Sequence, residues 1–100
     1  MARLRISNLA SADLDDIRLE GEARFGPDAS LRHLGGFDRI FGLLRDQPMI
    51  GQLRPELGPD VRTFSHRPHR VVYRTDGDEV LILRIVHSAQ DGPTVARSIQ

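Results

Sequence analysis

Cysteine and lysine are both absent from the 100 residues of this chain, and all 14 of its Lys+Arg residues are arginine. Without cysteine, disulfide bonds, thiolate catalysis and cysteine-ligated metal sites are excluded. Without lysine, the chain has no amine that could act as a general base, form a Schiff base or bind phosphate as a point charge. Any permanent positive charge on its side chains is therefore a guanidinium.

Long apolar runs are also missing. No stretch approaches the roughly 20 apolar residues that a membrane-spanning helix needs, and the first residues lack the apolar core of a signal peptide. The chain has 14 acidic residues against its 14 basic ones, so the net charge is zero. Composition alone therefore gives no attraction to nucleic acid or to a membrane. We expect one cytoplasmic domain that does not associate with membranes.

The strongest strand signal lies between Val61 and Val86. Three runs rich in β-branched or alternating residues occur there, namely Val61–His66, Arg70–Arg74 and Glu79–Val86. The Asp76-Gly77 pair between the last two runs is typical of a tight hairpin turn. These runs predict a three-stranded antiparallel meander. Its last strand is apolar on both faces, which indicates a central strand covered on two sides.

Upstream, the alternating segment Arg3–Ser7 predicts a short first strand, and Ser7 can cap a helix that follows it. The apolar stripe of this first helix has helical spacing throughout, and its members are Ala10, Leu14, Ile17, Gly21 and Phe25. Acidic residues occupy the other positions and predict a solvated face.

A second helix is predicted from a cap at Asp28 to about Asp46, before Pro48. Its stripe comprises Leu34, Phe37, Phe41 and Leu44, widened by Leu31, Ile40 and Leu43. A short break between two long helices predicts an antiparallel hairpin. Three glycines lie inside the second helix, at Gly35, Gly36 and Gly42. Two explanations stay open: they allow close approach to the first helix near Gly21, or they soften and kink the second.

The segment from Pro48 to Pro59 is rich in proline and glycine and is predicted to be a loop. The element order is thus β-α-α-β-β-β, with the helices segregated from the meander, and the fold class is α+β. We expect a single domain over residues 1–91. Residues 92–100 form either a tail or a last helical turn.

Several short motifs occur together at consistent spacing between residues 3 and 91, and with them the chain resembles the ParE branch of the RelE/ParE toxins of type II toxin–antitoxin systems. The matching pieces are Ala12-Asp13-Leu14-Asp15-Asp16-Ile17, Phe25-Gly26, Pro48-x-x-Gly51, Arg62, His69-Arg70-Val71-Val72-Tyr73-Arg74, Leu83-Arg84-Ile85-Val86-His87 and Gln90-Asp91.

This resemblance implies a helical hairpin packed on a small, mostly antiparallel sheet. It also implies a toxin that inhibits DNA gyrase by binding, without a cofactor, and that is neutralised by a ParD-like antitoxin. In such systems the antitoxin binds the operator DNA, and the toxin contacts operator DNA only through the antitoxin. The residues that the resemblance offers for binding target or antitoxin are Arg62, Arg70, Tyr73, Arg74, Arg84 and His87.

The alternative is a RelE-like, ribosome-dependent mRNA endonuclease. Such chemistry needs cations for the phosphate and a side chain that transfers a proton. The candidates would be Arg70, Arg84 and His87. Strand parity places Arg70 and Arg74 on one face, and it places Arg84 on one face with Ile82 and Val86. We interpret His87 as structural or partner-binding, which favours an inhibitor over an enzyme.

Two further features receive a structural interpretation. His66 and His69 flank Arg67-Pro68, and because no third ligand accompanies them they are interpreted as turn residues, with no metal site. Tyr73 is expected to be half-buried with its hydroxyl on a polar neighbour.

Overall fold

The computed structural model describes residues 1–90 and 92–99, so Asp91 of the Gln90-Asp91 motif and the final Gln100 lie outside it. Its elements are, in order, strand β1, helices α1 and α2, strand β2, a 3₁₀ turn, strands β3 to β5 and helix α3. Their bounds are β1 Arg3–Ile6, α1 Asn8–Phe25, α2 Pro27–Asp46, β2 Gln52–Leu53, the 3₁₀ turn Pro55–Leu57, β3 Val61–His66, β4 His69–Asp76, β5 Glu79–His87 and α3 Gly92–Ser98.

The five strands form one sheet in the order β1-β5-β4-β3-β2. The predicted meander is confirmed, because β3 pairs antiparallel with β4 and β4 pairs antiparallel with β5. Strand β1 joins as a parallel partner of β5, with Arg3 opposite Glu79 and Ile6 opposite Ile82. Strand β5 is therefore flanked on both sides, and the α+β fold class predicted from the sequence is correct.

Two apolar clusters lie on the two faces of the sheet. On the inner face, helices α1 and α2 pack against the sheet around Phe37, Leu44 and Ile82. On the outer face, a smaller cluster joins Val61, Val72 and Val86 to Leu57 of the 3₁₀ turn and Val95 of α3. Strand β5 contributes to both clusters, which explains why its sequence is apolar on both faces.

The junction of the two helices differs from the prediction. The Ser7 cap of α1 is confirmed, since the Ser7 hydroxyl accepts a hydrogen bond from the Ala10 N–H at 3.0 Å. The Asp28 cap of α2 is wrong, because α2 begins at Pro27, directly after Gly26 with φ of 88°. Glycine tolerates this positive φ, and proline suits the first helical turn. Gly26 is therefore both the C-terminal cap of α1 and the N-terminal cap of α2.

The predicted apolar stripes hold only in part. Ala10, Phe37, Phe41 and Leu44 are buried, but Phe25 is 70% exposed and Leu31 is 64% exposed. Both exposed residues lie near the junction of α1 and α2. Helical spacing identifies which face of a helix is apolar, but it does not show how much of that face the sheet covers.

The glycines of α2 do not face α1. A Cβ added to Gly36 would overlap the imidazole of His66 on β3, whereas Gly35 and Gly42 face open space or a distant side-chain tip. The close approach between the helices is made by Gly21, whose added Cβ would lie 2.9 Å from Ser30 Oγ. Helix α2 is continuous from Pro27 to Asp46.

The segment 48–59, predicted as a loop, contains β2 and the 3₁₀ turn, and the Arg54 N–H donates to Val61 O at 2.8 Å. Of the two alternatives for the segment after residue 91, the structure has the helical one, since α3 lies there and buries Val95 in the outer cluster. The division between a domain at residues 1–91 and a tail stays a prediction.

Candidate functional sites

Asp13 and Arg84 form the best-satisfied ionic contact between the helices and the sheet. Asp13 Oδ2 accepts from Arg84 Nε at 2.7 Å and Asp13 Oδ1 accepts from Arg84 Nη2 at 2.8 Å. Asp13 Oδ2 also accepts from the Ile85 backbone N–H at 2.9 Å. The hydrogen bond with Asp13 raises the pKa of Arg84. Arg84 is thus engaged within the fold, and Asp13 is not part of the solvated acidic face that the sequence predicted.

The parity prediction for Arg84 fails because the β4–β5 ladder is irregular at this point. The register shifts between Val72, which pairs with Arg84, and Tyr73, which pairs with Ile82. An extra residue in one strand reverses the alternation beyond it. As a result, Ile82 lies in the inner cluster and Val86 lies in the outer cluster, so these two residues do not share a face.

Tyr73 is fully buried rather than half-buried, and it anchors the segment that follows α2. Its hydroxyl donates to Pro48 O at 2.8 Å and accepts from the Gly51 N–H at 2.8 Å. Burial raises the pKa of Tyr73. Arg62 Nη1 reinforces the same segment by donating to Met49 O at 3.1 Å and to Gly51 O at 2.9 Å. The Pro48-x-x-Gly51 motif is therefore the docking point of a buried tyrosine.

Replacing Tyr73 by Phe is expected to lower the free energy of unfolding by about 1–2 kcal/mol. The change leaves the Pro48 carbonyl and the Gly51 N–H without their shared partner. Chemical denaturation at neutral pH measures the loss. Tyr73 is the only tyrosine of the chain, and a loss below about 0.5 kcal/mol would show that water replaces the hydroxyl.

Arg70 and Arg74 share the outer face of the sheet, as predicted from parity, with Val72 between them. Arg70 Nη2 donates to Ser88 O at 2.9 Å, and Arg74 lines a cavity beside Leu57 and Ile99. His87 lies on the other face, because its ring contacts the ring of His69, with 5.8 Å between the ring centroids. The structure therefore does not bring together the Arg70 and His87 pair of the nuclease alternative.

All four histidines of the chain meet at one place, which the sequence did not indicate. The His33 ring of α2 stacks on His66 of β3 with centroids 4.3 Å apart, and His33 Nε2 lies 2.9 Å from His69 Nδ1 of β4. The His66 Nε2–H donates to His33 O at 2.8 Å. The turn interpretation of His66 and His69 was wrong, since both point into the contact between α2 and the sheet. Because His33 is distant from His66 and His69 in sequence, no local pattern indicated this cluster.

Within this cluster the neutral forms of His69 and His33 are favoured. Burial, with the charges of His33, His87 and His66, lowers the pKa of His69 to about 4, while Glu20 of α1 acts in the opposite direction. Burial and His66 also lower the pKa of His33. In residues 1–90 and 92–99, no three His, Cys, Asp or Glu side chains are placed to hold one metal ion. The same part of the chain contains no helix with the length and apolar character for a membrane span.

Exposed apolar side chains are concentrated on the helical hairpin and on the segment before β3. Several of them are large and at least 42% exposed, and these are Leu9, Leu19, Phe25, Leu31, Met49, Ile50 and Leu53. A single exposed apolar residue needs no explanation, whereas Phe25 and Leu31 are both exposed near the junction of α1 and α2, which makes that end of the hairpin a candidate interaction surface.

The same fold occurs in solved toxin–antitoxin structures. A chain of the chromosomal ParDE TA system from P. aeruginosa matches with a TM-score of 0.75 and 30% identity, over 87% of this chain and 96% of that one. A chain of the toxin–antitoxin complex RelBE2 from Mycobacterium tuberculosis matches with a TM-score of 0.64 and 25% identity, over 86% and 96% of the two chains. The fold is that of the RelE/ParE toxins of type II toxin–antitoxin systems.

Sequence comparison narrows this class to one family. The model of a family described as "ParE toxin of type II toxin-antitoxin system, parDE" matches residues 4–92. Toxin ParE3 of Caulobacter vibrioides is 34% identical over 86 residues, which are 86% of each chain. The chain therefore belongs to the ParE toxin family, as its motifs suggested.

Proposed function

We propose that this toxin acts in the cytoplasm by binding DNA gyrase and that a ParD-like antitoxin neutralises it by covering the exposed apolar side chains of the helical hairpin. Membership in the ParE family supports the proposal, and so does the assembly named for its P. aeruginosa neighbour. The observation that carries the antitoxin part is the hairpin itself, where Phe25 is 70% exposed and Leu31 is 64% exposed. Operator DNA would be bound through the antitoxin.

Inhibition by binding agrees better with the geometry than RNA cleavage does. A nuclease site needs its phosphate-binding cation and its proton-transfer group on the same side of the substrate. Arg84 is instead bonded to Asp13, and Arg70 and His87 lie on opposite faces of the sheet. An inhibitor needs only a complementary surface, and the chain presents both apolar and basic surfaces.

The test is controlled expression in a bacterial host without an antitoxin, followed by a supercoiling assay with purified toxin and gyrase. We expect growth arrest and inhibited supercoiling. Growth arrest with active gyrase and with mRNA cut at ribosomes would replace the inhibitor by the nuclease alternative. The absence of growth arrest would contradict the toxic role and leave a regulatory partner of the antitoxin.

Replacing Phe25 by Ser is expected to weaken antitoxin binding by at least about tenfold, because exposed aromatic side chains are frequent binding hot spots. Titration calorimetry with the purified antitoxin measures the change. The thermal midpoint of the free toxin should be unchanged, since Phe25 is not part of either apolar cluster.

The matched control is Asp38→Ser, a change at another exposed position, on α2, for which no ion pair or hydrogen bond is found within the described residues. Its affinity for the antitoxin should stay within about twofold of the starting protein. Equal affinities for the Phe25 and Asp38 variants would show that the antitoxin does not cover the end of the hairpin.

A further inference from the structure

The outer face of the sheet is only half covered. Next to α3 and the 3₁₀ turn, its outward positions are apolar, at Val61, Val72 and Val86. Further along the same strands, the outward positions become Thr63 and Ser65 on β3 and Arg70 on β4. This polar half lines an open cavity of about 550 Å³. The outward positions change from apolar to polar at the point where α3 and the 3₁₀ turn no longer cover the sheet.

The cavity is basic and rich in hydrogen-bond donors. Arg54, Arg67 and Arg70 line it together with the hydroxyl-bearing Thr63, Ser65 and Ser88, and no acidic residue lines it. Several guanidinium and hydroxyl donors around one cavity match an anion with several oxygen atoms, and guanidinium is well suited to phosphate.

The three arginines are held differently. Arg54 is paired with Glu56 at the rim. Arg70 is oriented by its hydrogen bond to Ser88 O, which leaves its charge uncompensated. Arg67 is exposed and forms no ion pair with any residue in the described ranges 1–90 and 92–99. Two uncompensated positive charges therefore face the cavity although the net charge of the chain is zero.

We propose that this cavity binds the phosphodiester backbone of a nucleic-acid strand. Its volume exceeds the size of one phosphate group. Proline is the only apolar residue type in its lining, and no aromatic residue is present there. Stacking on aromatic side chains is the usual way to hold unpaired bases. Their absence from the lining favours contacts to the backbone, which carry no sequence information. The proposal is separate from the antitoxin contact, since it concerns the outer face and not the helical hairpin.

The test measures fluorescence anisotropy of a labelled oligothymidylate of about 12 nucleotides, a length within the usual range of single-strand sites. Binding should weaken with added salt. Each phosphate contact to a single strand contributes about −0.7 to the slope of log K against log salt. Two to three arginines therefore predict a slope between about −1.4 and −2.1. An equal affinity for an oligonucleotide of different sequence is expected.

Variants locate the site. Arg67→Gln should weaken binding about threefold and make the slope shallower by about 0.7. The double variant Arg67→Gln with Arg70→Gln should weaken binding at least about tenfold. The matched control is Arg39→Gln, which removes the same charge from an exposed position on α2 and should stay within about twofold. Far-UV circular dichroism checks that each variant is folded.

Each contrary result overturns the proposal. No binding at about 50 mM salt, or equal weakening by the Arg39 and Arg67 variants, would show that the cavity is not a nucleic-acid site. Displacement of the strand by ADP at equal molar concentration would assign the cavity to free nucleotides. Cleavage of a matching RNA strand, lost in the Arg70 variant, would replace simple binding by catalysis. All of these outcomes can be read whether or not gyrase is inhibited.

Discussion

Replacing Asp13 by Ala is expected to lower the free energy of unfolding by about 2–4 kcal/mol. The carboxylate accepts three hydrogen bonds, two from Arg84 and one from the Ile85 N–H. Its loss leaves a guanidinium with a side chain only 21% exposed and without its counter-charge. Breaking a fully buried pair costs about 3–5 kcal/mol, and the residual exposure here reduces that range.

A double-mutant cycle separates the pair from its surroundings. Arg84→Met removes the charge but keeps much of the side-chain volume, so Asp13→Ala should cost less in that background by about 1 kcal/mol or more. Asp16→Ala is the matched control, since this neighbouring acid is exposed and forms no hydrogen bond or ion pair in the described part of the chain. It should change stability by less than about 0.5 kcal/mol. Additive losses for Asp13 and Arg84 in urea denaturation would contradict a coupled pair.

The second large effect is a loss of stability on acidification, caused by the histidine cluster. The pKa of His69 is about 4 in the folded protein, against 6.5 as the ordinary value. The unfolded chain therefore binds a proton between these two values that the folded protein does not bind. The contribution of His69 to stability is fully present above pH 6.5 and is lost as the pH decreases toward 4. One pKa unit corresponds to 1.36 kcal/mol. Because His69 is partly exposed to solvent, we expect its contribution to the free energy of unfolding to be about 2–3 kcal/mol, less than the full shift would give.

The groups that face His69 come from every neighbouring element. They are His33 of α2, His66 of β3, His87 of β5 and Glu20 of α1, and only Glu20 favours protonation. Between pH 7 and 5 the carboxylates still contribute little, so urea denaturation in this range isolates the histidines. We expect a slope approaching 1.4 kcal/mol per pH unit.

The variant His69→Gln is the control for this slope. Glutamine does not titrate, and its amide can still bond to His33. The pH dependence between 7 and 5 should therefore be smaller in the variant, even if its stability at pH 7 is lower. An unchanged slope would assign the effect to other groups.

Local patterns were sufficient for the element order. Alternation in Val61–His66 and the Asp76-Gly77 turn predicted the meander, because side-chain direction in a strand has a fixed period. Helical spacing predicted the hairpin, and Ser7 was correctly placed as a cap because the capping bond spans only a few residues. Such contacts depend on neighbours in sequence, so they can be inferred without knowing the fold.

Contacts between distant residues could not be inferred in this way. The irregularity beside Val72 reverses the alternation of β5 and separates Ile82 from Val86. No local signal marks it. Asp13 had the appearance of one acid among several on a solvated face, and its role appeared only when α1 was placed beside Arg84.

The sequence by itself determined the family, the α+β order and the absence of cysteine and lysine chemistry, because these depend on residue types and short spacings. Only the tertiary structure decided which arginines are free to bind a ligand. It fixed Arg84 to Asp13 and Arg62 to the segment after α2, and it left Arg67 and Arg70 at an open cavity. The physical reason is that a charge is neutralised by whichever groups the fold brings within a few ångströms, and for Arg84 that group lies 71 residues away in sequence.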